Sequence, residues 1–125
     1  MQKIFYRAGA ISYVIWGLLH LEAARNVYAL GSTLEPGMVQ GRVYQDAWNL
    51  VYFAVFAIVI AVALNWKNSR WGYWLNLVTV SVTDIGFIGA ILAPGYLPLF
   101  PGALGPVFWV AGAVLTTIGL RERSE

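Results

Sequence analysis

His20 and Asp84 have the side-chain chemistry to move a proton, and both lie within long apolar stretches of the chain. An imidazole and a carboxyl group brought within reach make an acid–base couple, with Asp84 as general acid or base and His20 as its partner. Helical spacing sets their neighbours. Asp84 shares a face with Tyr73, Leu77, Val80 and Phe87, with Asn76 and Thr83 at its margin, while Trp16 and Tyr13 lie on the face of His20. Glu22, Arg25 and Asn26 form a second polar face on the same segment as His20, at i,i+3 and i,i+4 from Glu22. Gln45, Asn49, Tyr52 and Phe56 share a face of the next segment, with Asp46 beside it.

Each residue also has a plain structural reading. Asp84 can glue helices together as a protonated or paired carboxyl group. A lone histidine is more often a hydrogen-bonded core residue than a ligand. Glu22–Arg25 reads as a local ion pair, and Asp46 as a first-turn carboxylate favoured by the helix dipole. Asn49 and Gln45 are the better candidates for hydrogen bonds to a ligand, with Tyr13, Trp16, Tyr52 and Phe87 as its apolar wall.

The elements that must position these groups follow from composition. Hydrophobic residues make up 59% of the chain and charged residues 11%, where soluble domains average roughly 25% charged. So few charges cannot cover a water-facing surface. Four apolar stretches, at about 8–30, 43–64, 71–92 and 105–120, approach or exceed the roughly 20 helical residues that a bilayer core requires. Their apolar runs are continuous rather than alternating, which excludes spanning strands. The fold class is therefore an all-α integral membrane protein, a single four-helix transmembrane domain over residues 1–125. The first stretch exceeds a signal-peptide core and is read as a retained helix.

Lys3, Arg7, Lys67, Arg70, Arg121 and Arg123 fall on one side of this arrangement, with Trp66, Trp71 and Trp74 at the same boundary; Arg25 and Arg42 fall on the other. By the positive-inside rule both termini and the 65–70 hairpin are cytoplasmic, and the expected location is a prokaryotic cytoplasmic membrane. Glu22, Glu35, Asp46 and Asp84 then lie in the outer half or outer loops, together with His20, Arg25, Asn26, Gln45 and Asn49. Charged groups at membrane depth cost roughly 2.5–3.5 kcal/mol on insertion scales and face a bundle interior or a wet cavity. The proline-rich 93–104 segment is either an interfacial loop or a lid over this cluster. Gly105, Gly112 and Gly119 recur every seven residues, which suits close helix packing within the bundle or a homo-oligomer contact.

Cysteine is absent and histidine single, which excludes disulfides, thiolate chemistry and multi-histidine metal clusters. No metal or cofactor is expected, although His20 could serve as one axial haem ligand. A net charge of +2 without a basic run argues against nucleic acid. The two hairpins show no repeat of the kind that marks inverted-repeat transporters.

The stretches GRVYQDAWNL, opening the second segment, and VTDIGF, in the third, resemble those of small four-helix membrane isomerases of the styrene oxide isomerase type. That resemblance implies a lipophilic substrate. The family binds haem b through a histidine at the start of its second helix, where this chain has Tyr44 and Gln45, so the haem does not carry over. His20, Glu22 and Trp16 also resemble, without matching spacing, the cavity-lining residues of the sterol-isomerase (emopamil-binding) group. The leading expectation is a pocket for a lipophilic molecule such as an isoprenoid, sterol-like compound or lipid, with cofactor-free isomerisation or epoxide opening as its chemistry. A non-catalytic accessory or scaffold subunit, whose polar groups satisfy one another, is the alternative. A small transporter or channel is the third.

Overall fold

The computed structural model describes residues 2–123, all-helical with short connections and no strand. Met1, Ser124 and Glu125 of the expected domain, and the Arg123 side chain counted toward its basic face, lie outside the described residues and side chains. Helices α1 (Gln2–Ser32), α2 (Met38–Ala63), α3 (Arg70–Phe87) and α5 (Leu104–Arg123) form the bundle, with a single-turn helix α4 (Leu99–Gly102) before the last. A 3₁₀ turn over Asn65–Lys67 follows α2, and a π-helical turn over Ile88–Leu92 prolongs α3. With these extensions, four helices are long and apolar enough to cross a membrane, the mark of a membrane protein. Each starts or ends beyond its apolar stretch, because hydropathy marks the part suited to lipid and the helix continues into polar flanks. Thus α2 begins at Met38, ahead of its apolar run at Val43, and the loop before it is correspondingly short.

The helices alternate in direction. One end of the bundle holds the start of α1, the α2–α3 hairpin and the end of α5 (the hairpin end); the other holds the residue 33–37 and 93–103 connections (the loop end). α1 packs along α2 and α5, and α3 packs less extensively on the same two helices. Large side chains on α1 meet small ones on both neighbours. α2 presents buried Ala47, Ala54 and Ala61 every seven residues, together with Ala57. Gly17 of α1 lies so close to α2 that a Cβ there would sit 2.9 Å from the Ala54 carbonyl oxygen.

The α1–α5 seam has a strict register. A Cβ on Gly119 would come within 2.7 Å of Tyr6, one on Gly112 within 2.6 Å of the Tyr13 ring, and one on Gly105 within 3.1 Å of His20. The glycines of α5 and the residues they face on α1 both recur every seven residues, running antiparallel. Small residues on one helix let the backbone of the other approach this closely. These glycines are therefore occupied inside the bundle. Of the two uses their spacing suited, packing within the bundle is the one seen.

The hairpin end is tied by polar contacts. Asn68 takes the left-handed backbone (φ 57°) that closes the α2–α3 turn, and its side-chain amide donates to the Gly119 carbonyl at 3.1 Å. Ser69 caps α3 by accepting from the Gly72 amide, leaving one fewer unpaired donor in the first turn. The Arg7 guanidinium lies 4.6 Å over the Trp66 ring.

Candidate functional site

The buried face of α3 runs through Gly72, Asn76, Val80 and Asp84, at four-residue steps. Asn76 therefore lies at the centre of that face and not at its margin. At its loop-end terminus Asp84 is fully buried. Trp16 Nε1 donates to Asp84 Oδ2 at 3.0 Å, and His20 Nε2 stands 3.3 Å from Asp84 Oδ1. His20 Nδ1 lies 2.9 Å from the Trp16 carbonyl oxygen, one turn back on α1, and the two rings stack at 3.9 Å. Trp16 is fully buried and His20 is 7% exposed. Gly105 closes the remaining side: a Cβ there would lie 3.1 Å from His20 Cε1 and 4.0 Å from Asp84 Oδ2.

A backbone carbonyl only accepts, so His20 Nδ1 carries a hydrogen. Nε2 then faces the carboxyl group of Asp84, which sets an imidazole and a carboxyl side by side among apolar helices. The contact is not an aligned hydrogen bond, and Oδ1 makes no other.

His20, Asp84 and Trp16 thus come together as the sequence suggested, though Trp16 acts as a hydrogen-bond donor as well as an apolar wall. Tyr13 is buried further toward the hairpin end, against Gly112. Phe87 is half-buried on the last turn of α3. Asn76 does not reach this centre: its amide donates to the Ala57 carbonyl at 3.0 Å and to Asn65 Oδ1 at 2.8 Å. The grouping of Gln45, Asn49 and Tyr52 with His20 and Asp84 is not found. All three are exposed on the outward face of α2, and Gln45 accepts from Arg42 at 2.9 Å. Asp46 is exposed as well. The physical reason is that α2 turns its alanine stripe inward, so its larger residues point away. Glu22, Arg25 and Asn26 are exposed, with Arg25 donating to both Glu22 carboxylate oxygens.

A groove of about 420 Å³ runs between α1 and α2 at the loop end, lined by Leu21, Ala24, Arg25, Tyr28, Tyr44, Ala47, Trp48 and Val51. Its end wall is the stacked pair Tyr28 and Tyr44, with ring centres 4.8 Å apart. Gln40 holds this end by donating to the Gly31 and Leu34 carbonyls. Ala24, a buried wall residue, lies one turn of α1 beyond His20. A smaller apolar groove of about 290 Å³ lies at the hairpin end, between Ala10, Ile11, Val14, Ala61, Val62 and Trp66. The large apolar residues of the 93–103 connection are exposed, Tyr96, Leu99 and Phe100 among them.

Sequence reasoning missed the loop-end groove, apart from Arg25, and the asparagine network of the hairpin end. The Tyr28–Tyr44 pair could have been found only by knowing which faces of α1 and α2 meet. Asn65 and Asn68 were visible as polar residues of a tight hairpin, but nothing in spacing linked them to Asn76 or Gly119.

Among the described residues no three histidine, cysteine or carboxylate side chains gather as metal ligands. No known protein family, curated protein or solved structure matches the chain. The likeness to four-helix isomerases therefore rests on layout and two short stretches.

Proposed function

We propose that this chain is an integral membrane protein that binds an amphiphile in the groove between α1 and α2, entered from the outer leaflet. The observation that carries this reading is the groove itself. Its volume falls within the roughly 300–1,000 Å³ of small-molecule sites, and it pairs a mostly apolar wall with a few polar points. The apolar body lies along Leu21, Ala24, Ala47 and Val51 against the Trp48 ring. A hydrogen-bond-accepting oxygen of the head meets Arg25, whose Nε and Nη2 are taken by Glu22 while Nη1 is left over, and the Tyr28 and Tyr44 hydroxyls. An isoprenoid alcohol, a sterol-like compound or a lipid has this chemistry. In this reading both termini and the 65–70 hairpin face the cytoplasm, since most basic residues lie at that end. Isomerisation or epoxide opening, if the protein turns its ligand over, would draw on the acid–base couple of His20 and Asp84, one helical turn from the groove wall.

The accessory or scaffold reading keeps one specific observation in its favour. Trp16 donates to Asp84, and the 3.3 Å contact of His20 with Asp84 leaves no room for a ligand between the pair.

Native mass spectrometry of protein purified in mild detergent separates the two. A bound mass retained by wild type and by Asp84→Asn, and lost in Arg25→Gln and Trp48→Ala with the fold intact, supports the groove. A folded wild type that holds nothing supports the scaffold. Orientation has its own check: reporter fusions at the C-terminus and within residues 33–37 are expected to give opposite signals, and identical signals reject the topology.

A further inference from the structure

Arg7 stands at the mouth of the hairpin-end groove with its charge unanswered. Its guanidinium rests over the Trp66 ring, and Nε is sealed from solvent without a hydrogen bond. The two Nη groups are not sealed in this way, and among the described residues Arg7 meets no carboxylate or other acceptor. Ala10, Ile11 and Val14 follow Arg7 at three, four and seven residues, on the same helical face, and line the groove together with Ala61, Val62 and Trp66. The groove therefore runs inward from Arg7 for roughly 10 Å, seven residues at 1.5 Å each. Lys3 lies one turn before Arg7, and Lys67 directly follows Trp66; both are exposed.

Three basic residues thus belong to one end of the groove, and no acid offsets them. Residues 2–21 and 47–83, which supply both walls, contain neither Asp nor Glu. Glu122, at this end on α5, forms no ion pair with any described residue.

The lining decides what fills the groove. Its side chains give a peptide backbone too few partners for its hydrogen bonds, so a polypeptide gains little by lying there. An open apolar groove just inside a bilayer is covered by an acyl chain, and the choice left to the protein is the headgroup. Three positive charges without a counter-charge select a head with net negative charge. A guanidinium supported by an indole takes a phosphate through two parallel N–H donors.

We propose that this groove binds an anionic phospholipid of the leaflet at the hairpin end. The phosphate sits on Arg7 with Lys3 and Lys67 beside it, and the first part of one acyl chain lies along Ile11, Val14, Ala61 and Val62. The site is separate from the loop-end groove and rests only on the membrane-spanning part of the reading above.

The test sets two lipids against each other. Purified protein is equilibrated in detergent with equal amounts of phosphatidylglycerol and phosphatidylcholine of the same acyl chains, and native mass spectrometry reads which lipid is retained. Wild type is expected to hold phosphatidylglycerol about tenfold over phosphatidylcholine, and Arg7→Gln to cut that preference about fivefold, the scale of one basic residue beside anionic lipid. Lys67→Gln removes an exposed charge that makes no hydrogen bond and should lower the preference about twofold to fivefold, a second reading if Arg7→Gln does not fold. Arg70→Gln, the same charge change on an exposed side chain at the start of α3, should leave it unchanged. Ile11→Trp, at a position 50% exposed, fills the groove and should release the lipid. No preference in wild type, or an equal loss in Arg70→Gln, overturns the site. So does retention indifferent to Ile11→Trp, which would mean that a phosphate binds without its tail, or a second copy of the chain found in place of lipid. A chain that resists carbonate extraction yet shows no preference sinks this site alone, whereas a chain recovered in the soluble fraction sinks the membrane reading with it.

Discussion

Helix α3 carries two buried polar groups on one face, and the molecule treats them differently. Asn76, toward the hairpin end, is neutral and binds groups close in sequence, Asn65 and the Ala57 carbonyl of the adjoining helix. Asp84, two turns on, is ionisable and binds Trp16 and His20 from the first helix of the chain. The amide locks a hairpin that loop closure already favours. The carboxyl group joins two helices that lie diagonally across the bundle, where side chains must do the bridging. A neutral amide suffices for the first task because its partner is held nearby by the turn. The second brings an acid and a base together, and a buried carboxyl group is tolerated only with such partners beside it.

This contrast is open to direct attack. Asp84→Ala should be the most damaging change, leaving Trp16 Nε1 and His20 Nε2 buried without a partner at a cost of about 3 kcal/mol. Asp84→Asn, which can still accept from Trp16 and donate to His20 Nε2, should cost about 1 kcal/mol. Reversible unfolding in mixed micelles would measure both, and equal effects would show that the hydrogen bonds an amide keeps to Trp16 and His20 do not matter. Asn76→Ala comes next at about 1–2 kcal/mol, for the loss of two buried hydrogen bonds. If it equals Asp84→Ala, the two ends are not distinct.

Smaller effects sharpen the picture. Gly105→Ala pushes a methyl group toward the His20 ring and should cost about 1 kcal/mol, whereas Gly86→Ala meets nothing within 4 Å and should be neutral or gain about 0.5–1 kcal/mol from helix propensity. Thermal denaturation of the pair separates a close-packing effect from a propensity effect. Ser69→Ala removes the α3 cap and should cost about 0.5–1 kcal/mol, seen as faster hydrogen exchange confined to the first turn of α3.

Much of this was legible in the chain before its fold was known. Four helices follow from four apolar runs, since few other structures bury that much backbone in an apolar surround. The meeting of His20 and Asp84 followed from the cost of leaving either alone. What could not be read was rotation. Asn49 and Tyr52 sat on a well-formed polar–aromatic face, yet α2 turns that face outward because its alanines fit against α1. In a helix hydrophobic nearly all round, volume rather than polarity selects the buried side, and a hydropathy pattern does not report volume. Trp16 was visible as a ring on the right face, but its indole N–H found a role only once α3 was in place across the bundle.

The register of α1 against α5 also has a consequence in time. Tyr6, Tyr13 and His20 are made first, and the glycines that receive them are made last. At about 5–20 residues per second, His20 waits roughly 3–13 s for Asp84 to be synthesised, and Gly105 comes later still. Until then α1 carries an imidazole with no acid beside it and an aromatic row with no glycines to receive it.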